Sequence, residues 1–181
     1  MTANATPAAQ SAAATVPSGS GSLASLIRGT RAAVAQNKDW ATTANLVADY
    51  LAHTMPSLDI LTPLEQAGSP EHYTSHTLYV DPGGRFSIMA IIWQPGQHTR
   101  IHDHVTWCVF GVLQGVEGED LFDADLHPIG HNANHAGQVS GFAPPGDIHR
   151  ITNTGDTTAI SIHIYGTDVS RIGSSARRYY E

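Results

Sequence analysis

The chain has 181 residues, 41% of them hydrophobic and 14% charged, which suits one domain with a well-filled core and argues against a disordered chain. A formal net charge of -7, without a Lys/Arg-rich patch, excludes the electrostatic footprint that nucleic acid or an anionic membrane needs. No apolar run approaches the roughly 20 residues that span a bilayer, the N-terminus lacks a secretory leader, and a single cysteine gives no sign of an oxidising compartment, so a soluble cytoplasmic protein acting on a small molecule is expected.

Residues 1–22, "MTANATPAAQSAAATVPSGSGS", are nearly all Ala, Ser, Thr, Gly and Pro. They cannot bury enough surface to offset ordering entropy and are expected to form a disordered tail. The rest, 23–181, is expected to be one domain. Its first part, to about residue 65, reads as helical: Leu23, Leu26 and Ile27, then Ala41, Leu46, Val47 and Tyr50, recur at spacings of three or four, with a break near "AQNKD".

The character then changes. "SHTLYV", "RFSIMAIIW", "HVTWCVFGVLQG", "GQVSGFAP", "HRITN" and "TAISIHIYG" are short, rich in β-branched and aromatic residues, and separated by turn signals such as "DPGG" and "PPGD". Regularly spaced strands of this kind predict a mainly β sandwich or barrel behind the N-terminal helices.

Eleven histidines raise the question of which converge. In a strand, residues i and i+2 share a face, so His102 and His104 point together and Asp103 points away. Extending the alternation places Thr106 and Cys108 on the histidine face. The surrounding spacing strengthens the pair: Gly96, five residues, His102-x-His104, three residues, Cys108, six residues, Gly115. A later segment, "PPGDIHRITN", offers His149 as a third ligand. In "SIHIYG", Ser161, His163 and Tyr165 share one face of a strand while Ile160, Ile162 and Ile164 share the other. That pattern suits a polar row looking into a site, where it could orient groups around a metal. His127, His131 and His135, in "DLHPIGHNANH", read as exposed loop residues, and His98 and Arg100 as residues near the mouth.

The two His-containing motifs resemble those of the cupin superfamily, with Cys108 where many cupins carry a glutamate ligand and the leading glycine of the second motif one position out of place. Together with "PGQHTRIHDHVTW", "GVLQG" and "SIHIYG", they make the stretch from about Tyr73 to Tyr165 resemble the cupin-type thiol dioxygenases. That group includes the cysteine dioxygenases and the bacterial 3-mercaptopropionate dioxygenases. The "HDHxxW" and "SIHxYG" segments are more similar to the bacterial type. The resemblance implies a cupin double-stranded β-helix (a jelly-roll barrel) and a mononuclear Fe(II) on His102, His104 and His149. It also implies a relay of Ser161, His163 and Tyr165, with dioxygen and a small thiol bearing a carboxylate, 3-mercaptopropionate- or cysteine-like, as reactants. The product would be the sulfinic acid.

Two departures follow. The family fixes its substrate carboxylate with an arginine or glutamine just after a tyrosine, whereas here Tyr73-Thr74 is followed by Ser75; His76, Arg100 and Arg171 are the candidates to take over. In animal cysteine dioxygenases a cysteine is joined by a thioether to the active-site tyrosine, and Cys108 and Tyr165 are the corresponding pair, although the bacterial type has glycine there. Three neutral imidazoles suit several divalent ions. A cupin isomerase or hydrolase using another metal, and a non-catalytic metal- or ligand-binding cupin, are the competing readings. Oligomeric state is not legible.

Overall fold

Helix α1 (Leu23–Val34) starts at Ser22, whose hydroxyl accepts from the Ser25 N–H, and α2 (Trp40–His53) starts at Asp39, which caps Thr42 in the same way. A 3₁₀ turn (Leu58–Ile60) leads into α3 (Pro63–Ala67), which opens on a reciprocal capping box between Thr62 and Glu65 with proline in the first turn. The two long helices lie against each other at Gly29, where an added Cβ would stand 2.0 Å from the Tyr50 ring. The computed structural model describes residues 22–180; apart from Ser22, the expected disordered tail lies outside the described residues.

Ten strands follow: β1 (Thr74–Val80), β2 (Ser87–Trp93), β3 (His102–His104), β4 (Cys108–Gln114), β5 (Val116–Phe122), β6 (Pro128–His135), β7 (Val139–Phe142), β8 (His149–Asn153), β9 (Ala159–Tyr165) and β10 (Ala176–Tyr179), with a short α4 (Val169–Ile172) before the last. They form two five-stranded antiparallel sheets, ordered β1-β2-β9-β4-β7 and β10-β3-β8-β5-β6. This is the mainly β, double-stranded β-helix architecture with preceding helices that the sequence implied.

Strand β9 is buried on both faces. Ile160, Ile162 and Ile164 face Leu26, Val47 and Leu51 of the helices in the larger core, which covers the outside of the first sheet. Each such aliphatic side chain contributes about 1.5–3 kcal/mol by leaving water. The opposite face of β9 carries Ser161, His163 and Tyr165 towards the second sheet, and between the two sheets Trp93, Phe110 and Val112 of the first and Ile151 of the second form a smaller inner core.

Three readings of the sequence need correction. "HVTWCVFGVLQG" is not one strand: β3 belongs to the second sheet and β4 to the first, and the chain crosses between them at residues 105–107. Thr106 therefore does not follow the histidines but donates to the Gly166 carbonyl at 3.1 Å. The crossing is held by close packing, since a Cβ on Gly166 would lie 2.1 Å from the Trp107 indole nitrogen. Second, "DLHPIGHNANH" contains β6, which carries His131 and His135, paired along its length with β5. Both histidines are exposed, as expected, because β6 is a polar edge strand. Third, β5 and β10 escaped notice, and β10 builds one wall of the site.

Candidate metal centre and its cavity

His102 and His149 stand directly opposite each other in the β3–β8 register, and His104 lies two residues along β3 on the same face. Each offers a ring nitrogen within 4.8 Å of the others. All three rings are buried, with centroids 4.7–5.0 Å apart.

The hydrogen bonds on the far side of each ring decide which nitrogen is free. His102 Nδ1 faces the Arg100 carbonyl at 2.9 Å, His104 Nδ1 faces Asp147 Oδ2 at 3.1 Å, and His149 Nδ1 faces Glu119 Oε1 at 2.8 Å. A carbonyl and two carboxylates only accept, so each Nδ1 carries the proton and each Nε2 presents a lone pair to the common centre. Burial, with His149 and His104 alongside, pushes His102 down to about 2. Burial likewise lowers His104, against the opposing pull of Asp147. Neutral imidazoles converging on one point, each oriented by an acceptor behind it, form the donor set of a three-histidine metal site. The residues therefore fit a divalent transition ion.

Glu119 and Asp147, which orient two of the three rings, are residues that the sequence reading missed. Both are buried. Asp147 Oδ2 takes the His104 backbone N–H at 2.9 Å as well as the ring. Burial works to raise Glu119, but bonds from His149 and Asn132 outweigh it and hold the carboxyl below its ordinary range. Two carboxyl groups thus stand just behind the triad, each facing a ring Nδ1. The only advance signal was the place of Asp147, two residues before His149.

The triad opens into a cavity of about 520 Å³. Cys108, His163 and Tyr165 line it beside the triad; Tyr73, Ser75 and Thr77 line it from β1 and the residue before it; Ser174, Ser175 and Tyr179 line it from the C-terminal segment. Tyr165 stacks near His104, with centroids 6.2 Å apart. Its hydroxyl meets His163 Nδ1 at 3.2 Å, and His163 Nε2 meets Ser161 Oγ at 2.9 Å. Burial, followed by the Cys108 thiol, pushes the Tyr165 phenol well above its ordinary value, so it holds its proton. Cys108 lies directly across from Tyr165 in the β4–β9 register, and burial pushes its thiol well up too.

The candidate carboxylate contacts separate. Tyr73 and Ser75 line the cavity. His76 does not: it sits 3.8 Å from Glu65 on the other side of β1. Arg171 points outward and pairs with Asp168 at 3.2 Å. Arg100 is exposed at the mouth, its guanidinium 3.7 Å from the centroid of the Tyr179 ring. Among the described residues that line the cavity, none is Arg, Lys, Asp or Glu. Asp103, behind β3, receives Arg177, Arg178 (2.8 Å) and Tyr180 (2.9 Å), and these bonds tie the C-terminal wall to the strand that carries two of the histidines.

Residues 66–178 match the family described as cysteine dioxygenase type I. The cysteine dioxygenase type 1 of Danio rerio is 32% identical over 96 residues, 48% of each chain, so the match spans about half the length of that relative. Among solved structures, an oxalate oxidase in complex with the substrate analogue glycolate is 17% identical over 55% of this chain and 53% of its own, with a TM-score of 0.45. An uncharacterised protein with a double-stranded β-helix domain from Klebsiella pneumoniae subsp. pneumoniae is 15% identical over 61% of this chain and 85% of its own, with a TM-score of 0.48.

Proposed function

We propose that this chain, which belongs to the cysteine dioxygenase type I family, is a non-haem iron-dependent thiol dioxygenase that converts a small carboxylate-bearing thiol and dioxygen into the sulfinic acid. The observation that carries the reading is the pairing, in one cavity, of a three-histidine donor set with Tyr165 and His163, which Ser161 backs through a hydrogen bond.

In this reading His102, His104 and His149 hold iron(II) through Nε2, and residues 23–181 act as a single domain. Bound iron(II) supplies Lewis acidity that favours a thiolate over a thiol, together with redox chemistry towards dioxygen. The protein supplies placement. Asp147 and Glu119 keep two imidazoles in the Nδ1–H tautomer and compensate part of the ion's charge from behind, leaving the cavity side free of fixed anions. Tyr165, kept protonated by burial, offers a hydroxyl at the thiol end, and His163 and Ser161 orient it.

The substrate tail extends towards Tyr73 and Ser75, whose hydroxyls take the place of the family's Arg or Gln, with Arg100 stacked on the cavity-lining Tyr179. Cys108 and Tyr165 are suitably paired for a thioether between Sγ and the ring carbon beside the hydroxyl, formed with loss of two hydrogens to dioxygen. Peptide mass spectrometry after turnover reads that link directly.

An oxygen electrode tests the function. The iron(II) protein is expected to consume one dioxygen per thiol on a panel of cysteine, 3-mercaptopropionate, cysteamine and bulkier thiols, and His149→Ala to abolish consumption. Full activity without iron, or in that variant, would overturn the reading.

A further inference from the structure

Glu117 lies at the inner end of the Ser161–His163–Tyr165 row and has no part in the site described so far. It projects from β5 between the sheets and is 0% exposed, and neither carboxyl oxygen has a hydrogen-bond partner. Leaving such a group unsatisfied is costly, so a fully buried, unpartnered carboxyl needs an explanation. Its polar neighbours are the Ser161 hydroxyl and the Trp93 indole N–H, both on the facing sheet. They favour its ionised form without being aligned for a proper hydrogen bond. Burial outweighs them, with Glu119 two residues along the strand acting in the same direction, and pushes Glu117 up to about 8.

The other groups around it are neutral. Asn134 on β6 and Asn153 on β8 stand opposite Glu117 in the two strand registers. His163 is pushed down to about 3 by burial and by His149 and His104, and Tyr165 holds its proton. Trp93 Nε1 only donates, and it donates to Ser161 Oγ at 3.3 Å. That leaves Ser161 one lone pair and one O–H to divide between Glu117 and His163.

We propose that Glu117 is the terminal proton holder of the Ser161–His163–Tyr165 row, and that its proton decides which way the Tyr165 hydroxyl points. With Glu117 protonated, it donates to Ser161, Ser161 donates to His163 Nε2, His163 Nδ1–H donates to Tyr165, and the Tyr165 O–H is free for the cavity. When the row passes a proton outward, each proton moves one place: Glu117 to Ser161, Ser161 to His163 Nε2, His163 Nδ1 to Tyr165, and the original Tyr165 proton into the cavity. Glu117 is then a carboxylate accepting from Ser161, His163 carries its proton on Nε2, and Tyr165 donates back to Nδ1. Four protons become three within the row and one has left, so the count balances. In both states Ser161 uses two lone pairs and one O–H. Run backwards, the same shift stores a proton taken from the cavity. Glu117 is thus a positioning residue, acting on Tyr165 through two others. The inference rests on the reading of Tyr165 as the residue that faces substrate, but its test does not require turnover.

The test is the ¹⁵N resonance pair of the His163 ring, followed by NMR in the full chain loaded with zinc as a diamagnetic ion, from two pH units below the Glu117 midpoint to two above. The expected result is a change of His163 from Nδ1–H to Nε2–H with a midpoint near 8. In Glu117→Gln that change disappears. In Ser161→Ala the infrared band of the buried carboxylic acid still titrates, but His163 no longer follows it. A single tautomer throughout in the wild type, or an unchanged switch in either variant, overturns the proposal. If Glu117→Gln does not fold, Ser161→Ala decides alone. A protein that shows the switch but oxidises no thiol would refute the proposed function and leave this inference standing.

Discussion

Glu119→Gln isolates what a carboxylate behind a proposed metal ligand, His149, contributes. Glu119 is 1% exposed and accepts from His149 Nδ1 at 2.8 Å and from Asn132 Nδ2 at 3.0 Å. The substitution keeps the shape, removes the charge, and either puts an amide N–H against the imidazole N–H or leaves a neutral carbonyl as acceptor. A hydrogen bond to a charged group is worth about 1.5–3 kcal/mol, and at about 1.4 kcal/mol per tenfold its loss weakens metal binding roughly 10- to 100-fold. The same range holds for groups that support metal ligands from behind. The assay is anaerobic competition for iron(II) or zinc against a chromophoric chelator, with the melting temperature recorded in parallel. A folded Glu119→Gln protein whose metal affinity equals that of the wild type would refute the assignment of Glu119 as a support of His149.

Two further outcomes concern the walls of the site. Asp103→Asn removes the acceptor shared by Arg177, Arg178 and Tyr180, and because the arginines are half exposed the loss is discounted to about 1–2 kcal/mol, which calorimetry should read as a drop in Tm of roughly 2–8 °C. Burial acts to raise the Asp103 carboxyl, but those partners hold it well below the ordinary range. Its stabilisation is therefore complete above the unfolded pKa of about 3.9 and fades as pH falls through the folded value, so wild type and variant should converge only in strong acid. Gly166→Ala puts a methyl group 2.1 Å from the Trp107 indole nitrogen, and overpacking of that kind costs about 1–3 kcal/mol; denaturant unfolding with an unchanged midpoint would contradict the packing argument.

The parts of the site that were legible in the sequence are those fixed by strand geometry within one segment. His102 and His104 share a face by alternation, as do Ser161, His163 and Tyr165, and turn residues bound the segments that carry them. Cys108 does line the cavity, but through the change of sheet at residues 105–107 rather than by continuing the alternation of β3. Glu117, Glu119 and Asp147 were not legible because their meaning depends on which residue of a distant strand stands opposite. A carboxylate on a short polar strand usually faces water, and only the β5–β8 register and the facing sheet turn Glu117 and Glu119 inward, while Asp147, in the connection before β8, is held inward by the His104 backbone N–H and ring. For the same reason sequence order could not choose among Arg100, Arg171 and His76. Strands β6 and β10 lie at edges, where polar residues and glycine mask the pattern that reveals a buried strand.

Turnover under ¹⁸O₂, with mass spectrometry of the product, tests the account most directly. With iron(II) bound at His102, His104 and His149, the sulfinate is expected to carry two labelled oxygens from a single dioxygen. A product with label from water, or a thiol left unoxidised while dioxygen is consumed, would contradict it.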